Sequence, residues 1–286
     1  MSNADLPQQE RYRFMDMLLL FKGSFTRTEI VNRFGIGEAT ASRCIASFIH
    51  CFPNVVEYQG PIKGYVAQLG FSPTFEQNAI QGLRYLANAE LRQKIEVRTY
   101  GLPTYCIHKA LDLGVVSAVT RAIVNNGSVR IEYVSVSSGA TTRSIAPHSL
   151  FYANSLWYFR AYDFNSCVFR TFKFSRLLAA IDSREQRSHS SGAEKDDSWN
   201  RMRVVQLIPH PRTADPQAHL LDLGVSAGAV RELIINEACL GFVMTDLRVD
   251  CSRGHRLNSL EYPLALRNVD ELESIDSMVF APGFDI

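Results

Sequence analysis

The feature that most constrains the fold of this chain is a pair of aromatic-rich runs separated by five turn-forming residues. The runs are residues 156–162 (LWYFRAY) and 168–174 (VFRTFKF), and the segment between them reads DFNSC. Two runs of this kind on either side of a short turn segment predict a β-hairpin. Because strand side chains alternate between faces, Tyr158, Arg160 and Tyr162 share one face of the hairpin. An arginine between two tyrosines is unusual for a plain core and indicates a binding surface.

Positive charge is concentrated around this hairpin. The whole chain of 286 residues has a formal net charge of only +1 and is 46% hydrophobic and 21% charged, which is typical of a globular protein with two or three domains. Between Arg130 and Arg176, however, six cationic residues stand against two acidic ones, Glu132 and Asp163. A cationic surface that also presents tyrosine rings suits an anion joined to a base.

The residues of this stretch also resemble the signature of a known family. They are Pro147-His148, the run 157–162 (WYFRAY), the run 169–172 (FRTF) and Ser175-Arg176-Leu177. Together they resemble WYL-domain transcriptional regulators, and most of all the BrxR and CapW type that controls bacterial phage-defence islands. One position departs from the pattern, because Phe159 stands where the third residue of the eponymous tripeptide is leucine.

The resemblance implies an α+β chain with four structural parts. These are an N-terminal winged helix-turn-helix, a helical connector, a small Sm-like β-barrel (the WYL domain) that senses nucleotide or nucleic acid, and a C-terminal α/β dimerisation domain. We expect their boundaries at residues 1–71, 72–126, 127–183 and 202–286, with a polar linker at 184–201.

Local patterns in the first seventy residues support the winged helix-turn-helix independently. Residues 10–21 carry an apolar stripe with helical spacing, and Thr26 with Glu29 forms a capping-box pattern that starts a second helix through Phe34. A third helix is expected from Gly37 to Cys51. After it, the runs 55–59 and 64–68 flank GPIK and predict a wing.

The start of the third helix and the tip of the wing are the predicted DNA interface. Small and polar side chains there can enter a major groove, while a lysine on the wing reaches a phosphate. Ser47 is also expected on the outer side of this helix. The predicted DNA-binding residues are Thr26, Arg27, Glu38, Thr40, Ser42, Arg43 and Lys63.

The charge of this domain sets a limit on how it binds. Residues 1–68 contain seven cationic and six acidic residues, which argues against strong nonspecific binding by one copy. A homodimer doubles the contacts and reads a pseudo-palindromic operator on double-stranded DNA. A helical subdomain without a DNA role is the alternative.

The WYL segment is the predicted effector site. A strand at 128–136 places Tyr133 and Ser135 on one face, and we expect a nucleotide or single-stranded nucleic acid to bind. His148 is equally compatible with a structural role. Arg160 and Arg170 are also compatible with pairing to acidic residues. The predicted ligand-binding residues are Tyr133, Ser135, His148, Tyr158, Arg160, Tyr162 and Arg170.

In the C-terminal domain, strands are expected at 204–208, 245–250 and 264–267, and helices at 215–223 and 227–237. His210, Asp215, His219 and Asp222 have no metal-ligand spacing, so no metal is predicted.

Other classes of protein fit the sequence less well. Cys167 and Ser149 lie in no nucleophile-elbow or phosphate-loop pattern, so we expect no enzyme activity, no catalytic residues and no cofactor. The six cysteines form no Cys-x-x-Cys pair and are expected to be reduced and buried. The N-terminus has no secretory pattern and no apolar run reaches the length of a membrane span, so we expect a cytoplasmic protein without membrane contact.

The sequence therefore predicts a homodimeric, ligand-responsive DNA-binding regulator, a repressor of a phage-defence operon. The alternative is a nucleic-acid-sensing module that regulates a partner protein without reading promoter DNA.

Overall fold

The structure is a computed structural model that describes residues 6–87, 110–183 and 191–284. The chain forms two compact units. The first contains Met1–Phe151 and Phe159–Arg187, and the second contains Tyr152–Tyr158 and Ser188–Ile286. Among the described residues, no helix is long and apolar enough to cross a membrane.

The first unit begins with a winged helix-turn-helix. Its core is built from apolar side chains that are almost fully buried, among them Met15, Phe25, Ile45 and Phe48. The sheet has the order β1-β3-β2, with β2 and β3 forming the wing. The elements are α1 (Leu6–Phe21), β1 (Ser24–Thr26), α2 (Arg27–Phe34), α3 (Glu38–Cys51), β2 (Val56–Gln59) and β3 (Gly64–Ala67).

Local capping fixes the turn between the first helices of the motif. Thr26 and Glu29 form the predicted capping box, with each side chain accepting a hydrogen bond from the backbone of the other. Gly35 ends α2 with a φ of 60°, a left-handed conformation that glycine adopts without strain. The predicted bounds of α2, α3, β2 and β3 are confirmed to within one residue. The first helix, α1, begins four residues earlier than expected.

The connector contains α4 (Ala79–Ala87) and α5 (Leu113–Val124). Residues 74–78 belong to the expected helical connector but are not helical. Instead the buried carboxylate of Asp16 accepts hydrogen bonds from the backbone N–H groups of Thr74 at 2.9 Å and Phe75 at 3.1 Å. Residues 88–109 of the expected connector lie outside the described residues.

The WYL region is a five-stranded sheet with the order β7-β6-β5-β4-β8. The predicted hairpin is confirmed, and its strands are β6 and β7. β5 is the longest strand, with 15 residues. The strands are β4 (Ser128–Ser135), β5 (Gly139–Ala153), β6 (Leu156–Asp163), β7 (Val168–Lys173) and β8 (Leu177–Ser183). Within the described chain β7 and β8 are the two ends of an open sheet, so the closed barrel implied by the resemblance is not found.

The second unit has a four-stranded sheet with the order β10-β9-β12-β11. One face of this sheet packs on a core that includes Val205, Leu207, Leu240 and Met244. The elements are α6 (Asp197–Asn200), β9 (Met202–Pro209), α7 (Gln217–Leu223), β10 (Arg231–Asn236), α8 (Leu240–Asp246), β11 (Val249–Asp250) and β12 (Leu264–Leu266).

Two predictions for the second unit are wrong. Residues 231–236 are a strand and not part of a helix over 227–237, because they pair with β9 along their whole length. Residues 240–246 are a helix, so the expected strand at 245–250 is reduced to Val249–Asp250.

Gly241 lies against the carbonyl oxygen of Ser277, which leaves no room for a β-carbon at this point of α8.

Five cysteines fall within the described residues, and all are free thiols. Cys44, Cys239 and Cys251 are buried as predicted, and burial raises the pKa of Cys251 to about 12. Two cysteines depart from the prediction, because Cys51 is half-buried and Cys167 is exposed in the turn between β6 and β7.

Candidate functional site

An exposed polar network lies at the start of α3. The guanidinium of Arg27 pairs with the carboxylate of Glu38 at 3.0 Å and donates to Oγ of Ser42 at 3.4 Å. One turn away, Arg43 donates from Nη2 to Oγ1 of Thr40 at 3.3 Å. The structure thus brings five of the seven predicted DNA-binding residues together. Exposed pairs of this kind contribute little stability, so these side chains can exchange their partners for phosphates or base edges.

Thr26 caps α2, as the capping-box pattern predicted, and its contact with DNA stays a prediction. Its Oγ1 accepts from the backbone N–H of Glu29 at 3.3 Å, and its own N–H donates to Oε2 of Glu29 at 2.9 Å. Lys22 holds the same carboxylate through a 2.6 Å ion pair. Thr26 therefore positions α2 as its N-cap, with its hydroxyl engaged inside the protein.

Ser47 does not face outward, so that prediction is wrong. Its Oγ lies 2.6 Å from the hydroxyl of Tyr12 and 3.2 Å from Nε2 of Gln8, both on α1. Burial raises the pKa of Tyr12, against the opposing effect of these hydrogen bonds. The outer face of α3 continues through Ala46 and His50, which are exposed.

The wing presents a cation and apolar groups at its tip. Lys63 is exposed and has a φ of 47°, and its N–H donates to the carbonyl of Gly60 at 3.0 Å. Beside it, Ile62 is 49% exposed and Tyr58 is 57% exposed. The sequence pattern did not predict the exposure of Tyr58 on the wing. Val56 and Tyr58 share one face of β2, but only Val56 reaches the core, because the wing extends beyond it.

Two predicted effector residues pack on one phenylalanine of the WYL sheet, and a third contacts the same strand two residues away. The ring of Tyr162 is 5.1 Å from that of Phe169, and the ring of His148 is 5.6 Å from it on another side. Arg160 donates from Nη1 to Oγ1 of Thr171 at 3.3 Å, two residues further along β7. All three predicted side chains are partly exposed. We call Arg160, Tyr162, His148 and Phe169 the Phe169 surface.

Arg170 lies on the opposite face of the hairpin. Phe172, two residues away on the same strand face, stacks on the core residue Phe159 with ring centroids 5.4 Å apart. Nε of Arg170 lies 3.5 Å from Oδ2 of Asp163, a carboxylate with no solvent exposure. The sequence left open whether Arg170 contacts a ligand or pairs with an acidic residue, and the pair with an acidic residue is observed. Arg170 therefore does not join Arg160.

The remaining predicted effector residues also lie away from the Phe169 surface. Tyr133 is buried, and its hydroxyl accepts from the N–H of Lys173 at 3.3 Å. Ser135 is hydrogen-bonded to Ser137 at 3.0 Å. Tyr158 is buried with its ring 5.0 Å from that of Phe242, a contact inside the second unit.

One histidine of the second unit, His210, forms a buried pair with Asp250. Nε2 of His210 lies 3.0 Å from Oδ2 of Asp250, and both side chains are fully buried. The N–H of Arg212 donates to Nδ1 of His210 at 3.2 Å, so Nε2 of the neutral ring carries the proton toward Asp250. Within the ranges that the structure describes, no three histidine, cysteine or acidic side chains converge as a metal site.

Comparisons with known families match this architecture segment by segment. Residues 7–90 match the BrxR transcriptional regulator winged helix-turn-helix domain, residues 114–181 match the WYL domain, and residues 202–272 match the BrxR transcriptional regulator C-terminal dimerization domain. The chain belongs to the WYL-domain regulators of the BrxR/CapW type.

Curated relatives of this BrxR/CapW-type regulator carry one name. The DNA-binding transcriptional repressor CapW of Escherichia coli (strain KTE188) is 26% identical over 278 residues, which cover 94% of this chain and 91% of the relative. The protein of the same name from Pseudomonas aeruginosa is 26% identical over 280 residues, with the same coverage. A solved structure, proteasome accessory factor B/C (PafBC) of Arthrobacter aurescens, aligns over 93% of this chain and 46% of that chain. Its identity of 14% and TM-score of 0.27 are too low to carry an argument.

Proposed function

We propose that this BrxR/CapW-type regulator is a homodimeric, non-enzymatic repressor that acts in the cytoplasm on the operator of a phage-defence operon. A nucleotide or single-stranded nucleic acid bound in the WYL domain relieves the repression. The observation that carries the proposal is the exposed network of Arg27, Glu38, Ser42, Arg43 and Thr40, which lies at the start of α3 in a domain that matches the BrxR winged helix.

The geometry of the DNA-binding domain supports sequence-specific reading. Arg43 is exposed at the second turn of α3, where a recognition helix meets base edges, and Lys63 is exposed at the wing tip, where it reaches a phosphate. The domain carries little net charge, so two copies on two half-sites are needed for tight binding. The C-terminal match to a dimerization domain supports the second copy.

The Phe169 surface supports an effector with a phosphate and a base. Arg160 supplies a cation that forms bidentate contacts with phosphate, while Tyr162, His148 and Phe169 supply rings on which a base can stack. Tyr133 and Tyr158 are buried and Arg170 lies on the opposite face of the hairpin, so the proposed contacts are Arg160, Tyr162, His148 and Phe169. An Sm-like arrangement of the sheet is part of the proposal. The 15-residue β5 pairs with β4 only through Gly139–Ile145, and its second half is available for β6 on the other side.

An electrophoretic mobility shift with the DNA upstream of the regulator's own gene tests the proposal. We expect a discrete complex that survives an excess of unrelated DNA, with a footprint over a pseudo-palindrome. The Arg43→Ala protein, folded by circular dichroism, should form this complex only at higher protein concentration. A complex that unrelated DNA removes as readily as operator DNA contradicts promoter reading and favours the alternative of a sensing module.

A further inference from the structure

The helix α3, whose start forms the proposed DNA interface, begins with an acidic residue. Glu38 is the single acidic residue of this helix, and its side chain is 71% exposed. DNA phosphates repel a carboxylate, and the domain has only seven cationic residues against six acidic ones to compensate for that repulsion. A carboxylate at this place weakens binding to DNA in general, so its contacts need an explanation.

Glu38 holds a cation at the same place. Arg27, the first residue of α2, pairs through Nη2 with Glu38 at 3.0 Å and donates from Nη1 to Oγ of Ser42 at 3.4 Å. Glu38 and Ser42 are four residues apart and therefore share one face of α3. The guanidinium of Arg27 thus contacts two groups on the helix face that is expected to meet DNA.

Stability of the fold does not account for this pair. Both side chains are more than half exposed, and an exposed ion pair contributes little to stability. Gly37 provides no side-chain cap for α3, so the helix dipole favours an acid at Glu38, but this effect is small at an exposed site. What the pair does change is the availability of Arg27, because a guanidinium engaged by a carboxylate binds phosphate less readily.

We propose that Glu38 is a specificity-determining residue that accepts a hydrogen bond from the N4 amino group of a cytosine in the major groove, while Arg27 moves to an adjacent phosphate. A carboxylate accepts hydrogen bonds and donates none, so among the major-groove edges it suits cytosine. Adenine also presents an amino group, but the acceptor N7 beside it repels the carboxylate.

On unrelated DNA the cytosine amino group is not in place. Glu38 then keeps Arg27 engaged and repels the phosphates, which lowers the affinity for wrong sequences more than for the right one. This inference rests on the proposed reading of operator DNA by α3. It deepens that proposal by naming a residue that selects one base and reduces nonspecific binding.

Three substitutions separate these effects. Glu38→Gln keeps the size of the side chain and removes its charge, and because glutamine pairs best with N6 and N7 of adenine, it should replace the preference for cytosine by one for adenine. Glu38→Ala should lose the preference at that base pair. Glu10→Gln is the matched control, because Glu10 is an exposed acid of the same domain that lies on α1.

The first measurement is the selection of bound sequences from a library of random duplexes by the full-length protein. We expect cytosine at one base pair of the site that the wild type selects, adenine there for Glu38→Gln, and no change at the other base pairs. The second measurement is fluorescence anisotropy with a scrambled duplex. Glu38→Gln should bind it about threefold more tightly than the wild type, because the repulsion of phosphates is lost. Glu10→Gln should bind it as the wild type does, and an equal gain shows an effect of net charge alone and contradicts the proposal.

Arg27→Ala distinguishes base reading from an indirect effect. If Glu38 contacts cytosine, Glu38→Gln should change the selected base in the Arg27→Ala protein as well. If the change disappears without Arg27, Glu38 acts only by positioning Arg27, and the base contact is contradicted.

The outcomes also separate this inference from the function on which it rests. A folded wild type that selects no sequence overturns the proposed reading of operator DNA and this inference together. A wild type that selects a sequence, with Glu38→Gln and Glu38→Ala proteins that are folded by circular dichroism and select the same one, overturns the role of Glu38 alone.

Discussion

Nη1 of Arg143 donates to Oδ2 of Asp163 at 2.6 Å, and Nε of Arg170 lies 3.5 Å from the same oxygen. The carboxylate is fully buried and also accepts from Oγ of Ser166 at 2.9 Å. One of the two acidic residues between 130 and 176 thus contacts two of the six cations, Arg143 and Arg170. The charge count of the sequence therefore overstates the positive charge of this face of the sheet.

Loss of the Asp163 carboxylate should strongly destabilise the WYL sheet. Asp163→Ala leaves Arg143, whose side chain is only 20% exposed, without its counter-charge, and breaking such a buried pair costs roughly 3 kcal/mol. Urea unfolding of the two proteins measures the difference. Arg170→Ala is the control and should cost less than about 1 kcal/mol, because that side chain is half exposed. If Asp163→Ala and Arg170→Ala lower the free energy of unfolding equally, the Arg143–Asp163 pair is not the main stabilising contact.

Elements held by local signals could be predicted from the sequence. The Thr26–Glu29 capping box and Gly35 define α2 within a few residues, so its bounds follow from neighbours in the chain. β10 shows the opposite case. Its partner β9 ends more than 20 residues earlier, and pairing at that distance overrides a pattern that reads as helical.

The effector residues show a second limit of prediction from sequence. Alternation correctly groups Arg160 with Tyr162 on one strand, but the face of Arg170 depends on the register between β6 and β7. A shift of one residue moves every side chain of a strand to the other face, and a turn of five residues does not define the register. The stacking of Phe172 on Phe159 and the contact of Arg170 with the buried Asp163 assign Arg170 to the core side.

Arg43 and Lys63 should contribute differently to DNA binding. Arg43→Ala should weaken operator binding by about 1–3 kcal/mol and have little effect on unrelated DNA, because it removes a base contact. Lys63→Ala should weaken binding to all sequences and reduce the dependence of affinity on salt by about one ion, because it removes a phosphate contact. Fluorescence anisotropy with operator and scrambled duplexes at several salt concentrations distinguishes the two. An unchanged operator affinity of folded Arg43→Ala protein contradicts its assignment.

Thr26 should affect stability through its role as a cap. Thr26→Ala removes the acceptor for the N–H of Glu29 and should lower the free energy of unfolding by about 1 kcal/mol. Thr26→Ser retains a hydroxyl and should restore most of this loss. Thermal unfolding of the three proteins is the measurement. If Thr26→Ala is as stable as the wild type but binds operator poorly, the hydroxyl contacts DNA after all.

Acid should remove the stabilisation that Asp250 provides to the second unit. Burial raises the pKa of this carboxyl, but hydrogen bonds from Ser252, Leu257 and His210 outweigh burial and leave the pKa below its ordinary value. A carboxyl with a lowered pKa in the folded state stabilises the protein above its unfolded pKa of about 4 and loses this effect as the pH falls through the folded value.

We therefore expect Asp250→Asn to be less stable than the wild type by roughly 1–3 kcal/mol at pH 7. The difference should shrink as the pH falls below about 4. Burial lowers the pKa of His255 and the charge of Asp250 opposes this effect, so His255 adds its own contribution to the difference at higher pH. Chemical unfolding between pH 3 and pH 7 measures the difference, and a gap that widens below about pH 4 contradicts the sign for Asp250.

The last prediction concerns the switch itself. A ligand shifts an equilibrium only by its differential affinity for the two states, so loss of the effector site should abolish the response and leave operator affinity nearly unchanged. Arg160→Ala should therefore repress normally and fail to induce in a promoter–reporter assay during phage infection. Arg170→Ala is the matched control, because it removes the same charge from the opposite face of the same hairpin, and it should still induce. In vitro, a short single-stranded oligonucleotide and mononucleotides are the probes, and Arg160→Ala should bind the active one at least tenfold more weakly than Arg170→Ala does. If Arg160→Ala induces normally, the effector site lies outside the Phe169 surface. If only Arg170→Ala fails to induce, the effector site lies on the face that carries Asp163.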